Sequence, residues 1–287
     1  MREQFYRPYA SMGSDDLTAL LPLTSLGERS YRSCFSEDSS DELRGTGLIA
    51  GQAIWAAGQS AQGWQVIAFQ LCMLRAPRFQ GLLEYAVESS SQKPQTMTRH
   101  VYAVQGLETV ASVHVRYCKP QEVVRSPPVV ASAFSFDETL LTGADSLDPQ
   151  LTAGASSLVE VCQPIQSHPG ATAMDDTHLR TWCRLRQALP LGSMWCSSAL
   201  AYLAASGLPG AAGVWGTKTR PRGCDHDAHD FSMLFHAGVF DVNDWLLFDS
   251  EVLPKVGRHY SLKTKIFDRT GVHLATSMQT CVDGYGV

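Results

Sequence analysis

Two stretches of the chain are small and apolar on every side. Each is followed by segments in which β-branched and aromatic residues recur. The first, residues 47–58, includes Leu48-Ile49-Ala50-Gly51-Gln52-Ala53-Ile54-Trp55-Ala56-Ala57. Its length and alanine content predict a buried helix rather than a strand. Behind it, residues 66–74, 82–89, 100–104 and 109–117 predict strands, with Gln105-Gly106 turning between the last two. The second apolar stretch, 193–205, predicts another buried helix. Strands are expected before it at 158–161 and 179–185, and after it at 231–235, 245–252, 260–267 and 272–282. Residues 1 to 40 read as a polar lead-in with one short helix around Leu17, Leu20, Leu21 and Leu23. The acidic, serine-rich residues 36–42 read as a surface loop. From 123 to 157 Pro, Ser, Ala, Gly and Asp dominate, as in a linker. The expected organisation is therefore a unit at 1–122, a linker at 123–157 and a second unit at 158–287.

A helix followed by an antiparallel sheet, twice over, is an α+β arrangement. The halves also end alike. His100-Val101-Tyr102-Ala103-Val104-Gln105-Gly106 and Lys265-Ile266-Phe267-Asp268-Arg269-Thr270-Gly271 each run strand, glycine turn, strand. A helix apolar all round belongs inside, with the sheet wrapped about it. The pattern by itself also admits other two-unit α+β folds.

Composition narrows the partners. With 44% hydrophobic residues the 287-residue chain can bury a large core, and its net charge of −5 argues against a nucleic-acid binder. No stretch is apolar enough to span a bilayer. The eight cysteines are scattered without Cys-x-x-Cys spacing, which excludes a zinc ribbon and fits free thiols in a reducing cytosol. The N-terminus lacks the apolar run of a signal peptide, and the C-terminus is not of the Ser-Lys-Leu type. A cytoplasmic protein is expected.

Several motifs carry a resemblance. They are Gly51-Gln52-Ala53-Ile54-Trp55-Ala56-Ala57, Leu74-Arg75, Leu179-Arg180-Thr181-Trp182-Cys183-Arg184, Met233-Leu234-Phe235-His236 and Asp244-Trp245-Leu246-Leu247. In this order and spacing the chain, from about Leu17 to Asp283, resembles the acyl-CoA thioesterase II family of double-hotdog enzymes. Ala76 stands where the family has Pro. The resemblance implies a tandem hotdog: two antiparallel sheets, each wrapped around a buried helix, able to pair into one continuous sheet. It implies hydrolysis of an acyl thioester without a metal. The family uses an Asp on the second-half helix, a Thr just before an Asp-x-Ser-Met strand and a Gln on the last strand. Carried over position by position, the Gln falls on Gln279, the Asp on Ser198 and the Thr on Ala228. A one-residue slip substitutes Ser197 or His229, and neither restores the pattern.

The candidate catalytic residues are thus Gln279, Ser198 and His229. Gln279 can orient a water or a carbonyl, Ser198 can hydrogen-bond or act as nucleophile beside a histidine, and His229 titrates in the range that suits proton transfer. Against these stand a polar strand residue, a small helix-packing residue and a solvated loop. The candidate substrate-binding residues are Gly51, Gln52, Trp55, Ser197, Asp230 and Phe235. Asp230 equally suits a turn-capping role. The cluster Cys224-Asp225-His226-Asp227-Ala228-His229-Asp230 lacks the spacing of known zinc helices, so no metal site is expected. No separate cofactor is implied, since CoA or an acyl-carrier arm would belong to the substrate. The partners expected are a small acyl substrate and an acyl carrier protein, with no nucleic acid and no membrane, in a monomer or homodimer. Three functions remain open. One is hydrolysis of an acyl-CoA or carrier-bound polyketide-like chain with an altered catalytic set, in a secondary-metabolism setting. Another is a repurposed dehydratase, isomerase or cyclase. The third is a non-catalytic acyl-binding subunit.

Overall fold

The computed structural model describes residues 17–34, 42–75, 77, 82–120, 141–142, 158–164, 178–206, 230–238, 240–254, 256–257 and 259–282. The candidate His229 and the carried-over position Ala228, with the rest of the polar cluster from Cys224 to Asp227, lie outside the described residues.

The first half runs α1 (Leu17–Leu20), β1 (Thr24–Gly27), β2 (Ser30–Cys34), α2 (Glu42–Gly58), β3 (Gln65–Met73), β4 (Leu82–Gln92), β5 (Thr96–Gln105) and β6 (Glu108–Cys118). The second runs β7 (Leu141–Thr142), β8 (Val159–Pro164), β9 (His178–Leu185), α3 (Ser193–Ala205), β10 (Phe231–Phe235), β11 (Leu246–Val252), β12 (His259–Asp268) and β13 (His273–Val282). Among the described residues no helix is long and apolar enough to cross a membrane.

Among the described residues all the strands join one thirteen-stranded antiparallel sheet in the order β1-β2-β4-β5-β6-β3-β10-β13-β12-β11-β9-β8-β7. The expected two sheets are therefore one continuous sheet, closed across the seam where β3 pairs with β10. Along β5 and β6 buried residues alternate with partly exposed ones, as a sheet with one covered face requires. The covered face carries the two helices. α2 lies against α3 and against β3 through β6. α3 is buried without a break from Cys196 to Ala205.

Two glycines set the spacing of the helices. A Cβ on Gly47 would come within 2.7 Å of the Tyr202 carbonyl oxygen, and one on Gly51 within 2.9 Å of the Ser198 carbonyl oxygen. At the other end Gly58 meets Met194. The later residues of α2 thus oppose the earlier residues of α3, and the helices run antiparallel at backbone contact.

Three local differences from the sequence expectation have physical causes. The polar lead-in contains the β1–β2 hairpin. All of β1 is exposed, so it has no alternation to read. α2 begins at Glu42 rather than residue 47, because Glu-Leu-Arg are good helix formers. Inside the expected linker, Leu141 and Thr142 form β7, paired with Pro164 and Gln163 at the sheet edge.

Candidate active site

The seam organises the site. Phe231 pairs with Leu71 and Met233 with Phe69. A local two-fold relation between the antiparallel strands therefore exchanges Phe69 with Phe231 and Leu71 with Met233. The two phenyl rings stack with centroids 5.4 Å apart. One strand further out, Phe231 pairs with Gln279 of β13 and Phe69 with Val115 of β6. Gln279 and Val115 thus occupy equivalent positions in the two halves, one an amide and the other an isopropyl group.

Directly paired residues share a face of the sheet. Phe231, Met233 and Phe235 are buried beneath the helix layer, so Gln279 points inward too and is only 9% exposed. Its cross-strand neighbours on that face are Leu262 and Phe231. Neither has a side chain that can bond an amide.

On the helix side Ser198 is fully buried, and its Oγ has no hydrogen-bond partner among the described residues. A helical serine usually satisfies itself on a carbonyl one turn back. Ser206 does this on the Leu203 oxygen at 2.8 Å. Leaving a buried hydroxyl unpaired costs about 1–3 kcal/mol, so Ser198 places an unsatisfied polar atom in an apolar layer. Ser197 beside it is also buried.

The expected substrate-binding residues fall in different places. Gln52 is completely buried and its amide is internally engaged. Nε2 donates to the Leu20 carbonyl at 2.5 Å and to Ser33 Oγ at 2.6 Å, while Oε1 accepts from the Tyr85 hydroxyl at 2.7 Å. It ties α1, β2 and β4 to α2. Gly51 is a helix-contact glycine. Trp55 packs edge-on against Trp195 of α3, centroids 4.5 Å apart. Phe235 ends β10 near Phe69. Asp230 is exposed. Its carboxylate accepts a hydrogen bond from the Cys72 thiol, which raises that thiol's pKa, and Cys72 lies on the exposed face of β3. Asp230 therefore works on the face opposite Gln279.

Two imidazole pairs are legible only once the strands are in register. His100 and His114 face each other across β5 and β6, ring centroids 4.0 Å apart, with Ser112 Oγ 2.8 Å from His100 Nε2. In the second half Thr276 Oγ1 lies 2.9 Å from His236 Nε2 and 3.0 Å from His273 Nε2. Burial pulls the pKa values of His100, His236 and His273 below the usual imidazole range, and the neighbouring ring adds to this at His100 and His273. Among the described residues no group of three or more His, Cys, Asp or Glu is placed to hold a metal.

Comparison with known proteins agrees with this fold. The family model for the acyl-CoA thioesterase C-terminal domain matches residues 137–282, just over half of the chain. No curated protein matches. Among solved structures, the chain is similar to the acyl-CoA thioesterase II TesB2 from Mycobacterium marinum at 23% identity and TM-score 0.70, covering 93% of this chain and 97% of that one. It is similar to a hot-dog-fold protein of unknown function from Alicyclobacillus acidocaldarius at 16% identity and TM-score 0.75, covering 94% and 98%. A putative thioesterase II from Thermobifida fusca follows at 14% identity and TM-score 0.71, covering 93% and 97%. At these identities the likeness is one of fold, a double hotdog.

Proposed function

Because the chain belongs to the acyl-CoA thioesterase family defined by that C-terminal domain, we propose that it hydrolyses an acyl thioester with an altered catalytic set. The substrate is an acyl-CoA or an acyl chain on a carrier protein, and no metal takes part. Water adds to the thioester carbonyl, the tetrahedral oxyanion collapses, the C–S bond breaks, and the thiol leaves with a proton as the acid forms.

In this reading Gln279 is the orienting group. Its amide N–H donates to the carbonyl oxygen as charge builds there, or its amide oxygen accepts from the attacking water. Ser198 supplies the second polar atom of the inner layer, where the family has a carboxylate. A serine hydroxyl is a poor base at neutral pH, so the proton needs an acceptor. His229 is the candidate for it. The observation that supports this reading best is the asymmetry across the seam, with a buried amide at 279 and Val115 at the equivalent place.

Free-thiol release from short, medium and long acyl-CoAs tests the proposal, with Gln279→Ala run beside the unaltered protein. Release well above background is expected, with Gln279→Ala reducing kcat about 100-fold, the scale of losing one oxyanion donor. No release from any chain length by folded protein contradicts hydrolysis of acyl-CoA. That result would favour the non-hydrolytic or acyl-binding alternatives.

A further inference from the structure

The second half keeps hydroxyls on its inner face where the first half has valines. Next to Gln279 along β13, Ser277 pairs with Thr264 of β12, and Thr264 pairs with Ser250 of β11. Directly paired residues share a face, so three hydroxyls stand side by side beneath the helices. The registers that match Gln279 with Val115 match this row with Val113, Val101 and Val87, which pair in turn across β6, β5 and β4. Valine fills such a layer without a polar atom, whereas serine or threonine there is costly unless something polar meets it. One row further along, Phe248, Ile266 and Ala275 are apolar and fully buried in the second half.

These hydroxyls are not used up on one another. Ser250 Oγ and Thr264 Oγ1 lie 2.9 Å apart, and that bond takes one of their two hydroxyl hydrogens. Among the described residues neither hydroxyl has a second bond, and the side chains of Ser277 and Gln279 have none. The row is also reachable. Gln279, Thr264 and Ser277 keep 9%, 6% and 4% exposure, where Val115, Val101 and Val113 keep 0%. The row containing Gln279 differs between the halves in the same sense. In the first half it reads Val115, Arg99, Ser89, and buried Arg99 closes the layer by donating to Ser60 Oγ at 3.0 Å and Ser89 Oγ at 3.1 Å. In the second half it reads Gln279, Leu262, Val252, and the last two are partly exposed although they share the inner face. From Gln279 the hydroxyl row lies two residues along the strand, roughly 7 Å.

Resting on the reading of Gln279 as the group that meets the thioester carbonyl, we propose that the Ser277–Thr264–Ser250 row selects an acyl chain oxygenated on its third to fifth carbon, a hydroxyacyl or oxoacyl thioester, over the plain alkyl chain of equal length. The chain's oxygen takes the bonds that Ser277 and the Ser250–Thr264 pair leave open, while Leu262 and Val252 pack on its carbons. An alkyl chain in the same place covers the hydroxyls without bonding them, and a site built to hydrogen-bond its substrate discriminates against the analogue that lacks the oxygen.

Thiol release by the full chain from hexanoyl-CoA, 3-hydroxyhexanoyl-CoA and 5-hydroxyhexanoyl-CoA tests the selection, with calorimetric titration of the three free acids beside it. The better hydroxyacyl-CoA should exceed hexanoyl-CoA at least about tenfold in kcat/KM, and its acid should bind more tightly than hexanoate. Ser277→Ala and Thr264→Val should each cut that ratio at least about threefold, as losing one hydrogen bond does. The ratio compares two ligands on one protein, so a loss of stability in either variant does not imitate the effect. Thiol release at equal kcat/KM from all three, or a preference that survives both variants, overturns the proposal and leaves hydrolysis standing. Without thiol release, tighter binding of a hydroxy acid that both variants weaken supports the selection and removes hydrolysis. Neither thiol release nor a preference among the acids overturns both.

Discussion

Gln52 and Gln279 are both buried amides, and their surroundings separate them. Gln52 holds three internal hydrogen bonds, to Leu20, Ser33 and Tyr85. Gln279 stands between Leu262 and Phe231 on its strand neighbours. The first is an anchor and the second is the group proposed to meet a ligand. Gln52→Leu should destabilise the protein by on the order of 3 kcal/mol, because it strands a carbonyl and two hydroxyls in the core. Adding Tyr85→Phe should recover part of that loss by removing one orphaned hydroxyl. Denaturant unfolding of the two variants checks both, and equal stability of Gln52→Leu and the unaltered protein would contradict the anchoring role. The sequence offered both glutamines as candidates. It could not separate them, because the partners of Gln52 lie 19 to 33 residues away on other elements. Asp230 was ambiguous for a similar reason. Which face it served depended on Cys72 of β3, which only the seam brings near.

At the scale of elements, the two helices were legible because each is apolar all round and rich in alanine. α3 spans 193–205 as expected. What could not be read is why glycines recur in α2. Gly47 and Gly51 are a turn apart and both lie against the α3 backbone, a contact that exists only once the helices pair antiparallel. Gly51→Ala, whose new methyl would press on the Ser198 carbonyl, should cost about 1–3 kcal/mol by overpacking. Gly47→Ala should cost a similar amount against Tyr202. Gly238→Ala meets only the flexible Gln65 side chain and should be nearly neutral. Thermal melts of the three rank them. A Gly51→Ala protein as stable as Gly238→Ala would show that the helices do not touch there. The β1–β2 hairpin escaped the sequence analysis because β1 is an edge strand exposed on both sides, and β2 is a short polar strand, Ser-Tyr-Arg-Ser-Cys, without an apolar alternation.

For the whole molecule, the tandem order of helix and strands made an α+β layout legible, and the motif resemblance made it a double hotdog with the prospect of one sheet. The equivalence of Gln279 with Val115 was hidden. It follows from the registers β3–β10, β10–β13 and β3–β6 taken together, and no single strand pattern contains it. The same holds for the two imidazole pairs, each assembled across strands. The fold thus repeats its backbone and diverges in its chemistry, with a polar inner position in one half and an apolar one in the other. The central claim, that water attacks a thioester carbonyl at the Gln279 half, is tested most directly by turnover of an acyl-CoA in heavy-oxygen water. The account predicts a free acid carrying one solvent oxygen atom, formed in step with thiol and suppressed in Gln279→Ala. An acyl product without solvent oxygen, or an unchanged rate in that variant, would contradict it.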